Sequence, residues 1–392
     1  MNVLFVNYHD FTSNSAVHIF NLANELELLG IRCAVCVPDN KRSSKRLGRP
    51  RFAVLDFSDA RAGRVRFADG GAPTLVHAWT PRENVRLVTE DIVRRYRCPY
   101  LVHLEDNEDV ISAHHLGVTI DEMLSLPNDL LNRRLPPTLS HPQRARAFLA
   151  DSAGVTVIID RLLELKPDEL PGEVVWPGYE RELFAPRPPD LALKRKLPIT
   201  EGEFVAVYHG NSHPTNAAEM RSLYLAVAEV NRRGCPLRLV RLGRDFVDFL
   251  GEDRSSVAQL VVSRGYVPRP ELGRYLSLAD VLVQPGRADA FNEYRLPAKL
   301  PEFLAVGRPV VLPASNIGRY LRDGENCLLL HEGGEIEIAD AVERLLQDPG
   351  LRDRLARAGR SFAEENFSWP RSASKLKRFY ARVLERVGTP AG

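Results

Sequence analysis

Lys299 and Glu302, at the head of the segment KLPEFLAVGRPVV, are the groups whose type and spacing best suit chemistry. Three residues apart, they share one face of a helix. A carboxylate there can accept hydrogen bonds from ribose hydroxyls, and an ammonium can oppose a phosphate. The pair also reads as a surface ion pair, worth ~0–1 kcal/mol. Only eight of the 53 basic residues are lysines, so a lysine at this spot is a mild sign of a specific need.

A second candidate lies in VYHGNSHPTNAAEM, which runs from a strand into a helix. Its turn holds Gly210, Asn211, Ser212 and Asn216. Small residues let backbone amides approach a phosphate, and a helix N-terminus favours negative charge by roughly 0.3–1 kcal/mol. The same residues also read as an ordinary turn, with Asn216 as N-cap and Glu219 completing a capping box. The turn has neither the dinucleotide fingerprint nor a P-loop. Arg244, after the strand ending Leu242-Gly243, reads either as an anion contact or as an exposed loop arginine. Glu105, Asp106, Glu108 and Asp109 cluster after YLVHL; an acidic helix start explains them better than a divalent ion. His103 and Glu105, two apart, point to one face of that strand. No cluster has metal-ligand spacing, so no metal is expected.

These groups need a scaffold, and the hydrophobic pattern supplies one. Apolar runs at 2–7, 33–37, 52–55, 75–78, 100–104 and 154–159 read as buried strands with helices between several of them. A second series follows at 204–209, 237–242, 260–262, 281–284, 309–312 and 327–330. Strand–helix alternation predicts parallel sheets covered on both faces. Residues 110–146 read as a helical insertion. The Pro-rich, charged stretch 186–199 reads as a linker between a domain over 1–185 and another over 200–369. A long helix closes the chain, over 370–392. At 392 residues, 44% hydrophobic, two α/β domains are the expectation.

Composition narrows the class further. A net charge of +2 does not demand nucleic acid. The five cysteines are scattered, which suits free thiols in a reducing cytoplasm. No run approaches the ~18 apolar residues of a membrane span, and the N-terminus lacks a leader's basic region and cleavage site. The expected location is cytoplasmic. Residues 40–52 carry Lys41, Arg42, Lys45, Arg46, Arg49 and Arg51 without an acid. They read as a solvated basic loop, with peripheral contact to an anionic membrane as the alternative.

The second half resembles the donor domain of retaining GT-B glycosyltransferases of family 4, the group 1 glycosyltransferases. The resemblance runs through VYHGNSHPTN, GYVPRPELGRYLSLADVLVQP, KLPEFLAVGRPVV, IGRYLRDGENCLLL and FSWPRSASKLKRFY, which span most of 200–385. VVWPGYERELFAP resembles the family's approach to its linker. The resemblance implies two Rossmann-like domains facing each other across a cleft, an acceptor domain first and a nucleotide-sugar domain second. It implies transfer of a sugar from a UDP- or GDP-sugar to a glycan, glycolipid or protein acceptor, with retention and no required cofactor. Glu302 falls on the family's ribose-binding glutamate. The family's first glutamate falls on Tyr294, with Glu293 adjacent. The "P.K..E" form of the helix matches Pro297, Lys299 and Glu302, and Lys299, Arg295 or Arg244 would neutralise the diphosphate. Glu105 stands where many members carry a histidine, and either Glu105 or His103 would contact the transferred sugar. A non-catalytic binding subunit, or less readily a nucleotide-sugar epimerase, is the alternative.

Overall fold

The computed structural model describes residues 1–388. The chain divides into two compact units, Met1–Gly178 with the segment from Ser368 onward, and Tyr179–Phe367. The first unit is built on strands β1 (Asn2–Asn7), β2 (Arg32–Val37), β3 (Ala53–Asp56), β4 (Leu75–Trp79), β5 (Tyr100–Leu104), β6 (Val155–Val157) and β7 (Gly172–Val174). They form one parallel sheet in the order β3-β2-β1-β4-β5-β6-β7. The second unit uses β8 (Phe204–His209), β9 (Leu237–Leu242), β10 (Val261–Ser263), β11 (Val281–Val283), β12 (Val310–Pro313) and β13 (Leu328–Leu330). These also pair in parallel, in the order β10-β9-β8-β11-β12-β13.

The strands are apolar runs because helices cover both faces of each sheet. Every residue of β1, β4 and β5 is buried. Chain order reverses between β1 and β4 in the first sheet and between β8 and β11 in the second. Loops leaving the carboxyl ends of strands beside such a reversal diverge and leave a crevice, where ligands of open α/β sheets bind. Gly210 falls there, just after β8, while His103 and Glu105 lie at the carboxyl end of β5, the neighbour of β4.

The structure adds detail to the expected organisation. The division of the chain falls at Gly178/Tyr179, not in the Pro-rich stretch 186–199. That stretch packs on the second unit: Asp190 pairs with Arg274 at 2.8 Å, its amide donates to Ser277 Oγ, and Leu193 and Leu197 are buried. Prolines there mark irregular backbone, not free backbone. Strand β7 and the short helix Phe57–Arg61 lack the length to leave a periodic signal. The insertion resolves into four short helices, Glu108–Leu116, Ile120–Ser125, Asn128–Arg134 and Pro142–Ala150. The first three of these gather a satellite core of Ala113, Leu116, Met123 and Leu131.

The long helix Trp369–Gly388 belongs to the first unit. Its Ala373, Leu376, Phe379, Tyr380 and Val383 recur at helical spacing and enter the same core as Val3, Phe5, Ile19 and Leu26. Leu376 is fully buried. Leu376→Ala should destabilise the first unit by about 2–5 kcal/mol, read as an earlier midpoint in urea unfolding; an unchanged midpoint would mean that the helix is only loosely attached.

Candidate functional site

In the second unit, the helix Leu300–Ala305 follows a Pro-rich loop and precedes β12. Its first turn holds Glu302, whose side chain is only 5% exposed. Glu302 Oε1 accepts from Arg269 Nη2 at 2.6 Å, and Arg269 also forms a two-pronged pair with Glu180 at 2.8 and 2.6 Å. His209 Nε2, at the end of β8, lies 2.9 Å from Glu302 Oε2. Apart from this contact, Oε2 is a buried oxygen with no further partner. Burial raises the cost of ionising Glu302, but the charge of Arg269 and the contact with His209 outweigh it and hold the pKa below the usual value. Burial conversely keeps the His209 imidazole neutral to lower pH than usual, against the pull of Glu302.

Lys299 is the N-cap of this helix, not a member of its first turn. It makes no ion pair with Glu302. Its Nζ donates instead to Gln284 Oε1 at 3.2 Å and to Tyr208 Oη at 3.3 Å, and lies 4.8 Å from the Tyr208 ring centre. The stem of Lys299 rests against Gly210, where a Cβ would meet Lys299 Cε at 2.8 Å. Gly210 has φ +137°, open to glycine alone. Its carbonyl accepts from the fully buried Arg241 and lies 2.1 Å from where a Cβ on Gly243 would stand. Two glycines and a buried arginine therefore bring this turn onto the lysine.

The polar side chains of the turn are mostly engaged within it. Asn211 Oδ1 accepts from the Arg244 amide at 2.9 Å, and Ser212 Oγ donates to Asp245 at 2.9 Å. Asn216 Oδ1 accepts from the His213 amide at 2.7 Å and its amide group donates to Asn211 O. Asn216 is the N-cap of the helix Ala217–Arg232 by position but makes no side-chain cap bond, and Glu219 does not complete a capping box. Glu219 is drawn off by Arg295 at 3.0 Å and by Asn292 at 2.8 Å. Arg244 is exposed beside Tyr266. Glu293 and Tyr294 sit in a single 3-10 turn, Asn292–Tyr294, with Glu293 paired to Arg319 at 3.2 Å.

In the first unit, Glu105 follows β5 and meets the helix Asn14–Leu28. It accepts from Ser15 Oγ and pairs with His18 Nδ1 at 3.1 Å. Burial works against its ionisation, yet His18, His103 and the Ser15 hydroxyl bring its pKa down to about 2. His103 is 1% exposed, stacked 3.9 Å from the Trp79 ring and hydrogen-bonded through Nδ1 to Thr156 at 2.8 Å. Burial drives its pKa down to about 3, so its imidazole is neutral near pH 7. Of the hydroxyls before it, Ser13 caps the helix and Thr12 bonds to Asp10. The basic segment forms a 3-10 helix, Lys41–Arg46. Lys41 is tied to Asp59 at 2.6 Å and Asp56 at 3.3 Å, while Arg42, Lys45, Arg46, Arg49 and Arg51 are exposed. Among the described residues no three His, Cys, Asp or Glu are grouped to hold a metal, and no helix is long and apolar enough to cross a membrane.

The residues that sequence reasoning missed are Arg269, His209, Glu180, Gln284 and Arg241. They come from separate elements, and only the fold brings them to Glu302 or Lys299. One signal was available: arginine inside the apolar run LRLVRL is costly to bury unless it is paired.

Solved structures share this architecture. The HepE protein of Anabaena in complex with UDP and glucose has a TM-score of 0.73 at 14% identity, over 97% of this chain and 100% of its own. Sucrose-phosphate synthase from Thermosynechococcus elongatus has a TM-score of 0.71 at 15% identity, over 98% and 100%. The fold is that of the GT-B glycosyltransferases. In sequence, residues 203–348 match the family model described as Glycosyl transferases group 1. D-inositol 3-phosphate glycosyltransferase of Frankia alni is 29% identical over 75% of this chain and 70% of its own length. The same-named protein of a Nocardioides species is 29% identical over 55% of this chain, which spans only 49% of that relative. The structure thus has the GT-B fold, and its second unit carries the match to the group 1 glycosyltransferase domain.

The depressed pKa of Glu105 has a sign that can be tested. Its ionisation contributes stability fully above the ordinary value of 4.5, and that contribution is lost as pH falls through about 2. Glu105→Gln should therefore flatten the fall in unfolding free energy across this acid window relative to the parent protein. Equal slopes in denaturant titrations at stepped pH would contradict the ion pair with His18.

Proposed function

We propose that the protein moves a sugar from a nucleoside diphosphate sugar, a UDP- or GDP-sugar, to a glycan, glycolipid or protein acceptor, with retention at the anomeric carbon. The observation that carries the donor assignment is Glu302: a buried, ionised carboxylate with one oxygen held by Arg269 and the other touched only by His209 Nε2. A buried acceptor left open is costly unless a ligand fills it. A ribose diol supplies the donors that such an oxygen lacks.

The remaining roles follow from charge. Departure of a nucleoside diphosphate builds negative charge on its terminal phosphate, and fixed donors stabilise that charge best where water is excluded. Lys299, beside the Gly210 turn, is the cation we assign to the diphosphate. The side chains of Asn211, Ser212 and Asn216 shape the turn, so the backbone of Gly210 and its neighbours would meet the phosphates. Arg295, committed to Glu219, acts on the loop and not on the ligand in this reading. Glu293 and Tyr294 lie on the loop that would face the donor's sugar, and His103 and Glu105 are the first unit's own candidates for contacting a sugar. Neutral His103 would hold a hydroxyl by hydrogen bonding, without adding charge.

A thermal-shift panel with UDP, GDP, ADP and TDP tests the donor site. A ligand at 100 times its dissociation constant adds ~2.7 kcal/mol, which should raise the midpoint by a few degrees. Glu302→Ala should abolish that shift, and Glu293→Ala should keep most of it. No shift with any nucleotide, or an undiminished shift in Glu302→Ala, would refute the assignment.

A further inference from the structure

A line of buried polar groups crosses the core of the first unit. Tyr380, on the C-terminal helix, meets His77 Nδ1 at 2.7 Å. His77 Nε2 meets Thr156 Oγ1 at 2.8 Å, and the same oxygen meets His103 Nδ1 at 2.8 Å. All four side chains are at most 1% exposed. The line ends at His103 Nε2, a buried nitrogen without a hydrogen-bond partner.

Donor accounting gives this line a direction. A buried phenol whose one hydrogen-bond partner is His77 Nδ1 must donate to it, or its own proton is stranded. His77, neutral in this setting, then carries its proton on Nε2 and donates to Thr156. The threonine hydroxyl in turn donates to His103 Nδ1. His103 is left with its proton on Nε2, as an unpaired N–H. The reverse order would strand the tyrosine proton and leave His103 Nε2 a bare acceptor.

Two further buried atoms without hydrogen-bond partners lie at the carboxyl end of β4, Trp79 Nε1 and Thr80 Oγ1, and the Glu105 carboxylate lies at that of β5. Glu105 Oε1 has the His18 contact at 3.1 Å as its one neighbour. Thr80 is a β-branched residue at φ +78°, strained and held by its amide bond to the His103 carbonyl at 3.0 Å. Strain of this kind persists where the surroundings enforce it, and it gathers at ligand sites. A hydroxyl group can accept from an imidazole or indole N–H and donate to a carboxylate, so one polyol satisfies this set.

We propose that Tyr380, His77 and Thr156 are positioning residues that fix His103 in its Nε2–H form, and that this N–H, with Trp79 Nε1, receives hydroxyls of a sugar bound at the first unit. The second half rests on the glycosyltransferase reading above. The first half stands without it.

Nitrogen-15 spectra of the histidine side chains test both halves. In the parent protein and in Thr156→Ser, His103 should carry its proton on Nε2. In Thr156→Val the preference should be lost, and in Tyr380→Phe, which spares the shape of the core, His103 should populate both forms. UDP-glucose or GDP-mannose should shift the His103 resonances, whereas UDP and GDP alone should not. A proton on Nδ1 in the parent, or an unchanged His103 in both Thr156→Val and Tyr380→Phe, would overturn the positioning chain. His103 resonances unmoved by both sugar nucleotides would overturn the hydroxyl site. A failed nucleotide reading is distinguishable, because UDP and GDP would then leave the whole spectrum unchanged while the tautomer remained readable.

Discussion

The arginine shared between Glu180 and Glu302 is the interaction on which the candidate donor site depends. A carboxylate as buried as Glu302 would ordinarily take up a proton to escape the cost of desolvation. Arg269 prevents that by lying 2.6 Å from Oε1. Glu180 orients the guanidinium from its other side, so the arginine is fixed before any ligand arrives. Removing one partner of such a buried group typically costs 3–5 kcal/mol, because the charge left behind has no compensation. Preserving the negative charge of Glu302 and leaving Oε2 with His209 as its one neighbour are therefore two results of one arrangement. His209 fits the same account: kept neutral by burial, it packs beside the carboxylate without adding a second cation.

The turn after β8 is built by close approach. Arg241, buried inside β9, reaches the Gly210 carbonyl and pairs with Asp245 at 2.8 Å. Gly243 lets that carbonyl approach, and Gly210 lets Lys299 lie beneath the turn. Any side chain at either glycine would push the turn off the lysine. The cation is thus placed by backbone that no other residue type could form, not by a partner carboxylate. The first unit places its polar groups differently, through hydrogen bonds that cross the sheet from the C-terminal helix. Both devices put their groups at the carboxyl ends of strands.

Much of this was legible in the sequence, for identifiable reasons. Long apolar runs such as VLFVN and LVHAW are buried on both faces, so they announce strands regardless of context. Three-residue strands such as β7 and five-residue helices such as Phe57–Arg61 leave no such trace. Glu302 and Lys299 stood out by type and spacing, but spacing suggested a shared face and a mutual ion pair. Lys299 in fact ends up at the cap, turned toward Gln284 and Tyr208. Arg269, which sets the charge state of Glu302, lies 33 positions away in the chain. No local pattern could have linked them. The Tyr380–His77 bond, across 303 positions, was still further out of reach.

The central claim is that Glu302 Oε2 stands open for the ribose of a nucleotide, and a titration can address that atom. UDP or GDP, whichever binds, and its 2′-deoxy counterpart should be measured by calorimetry against the parent protein and Glu302→Ala. The account predicts that losing the 2′-hydroxyl weakens binding to the parent by about tenfold, the scale of one hydrogen bond to a charged group, and has no effect on the variant. An equal penalty in both proteins would show that the ribose is held elsewhere and would contradict the account.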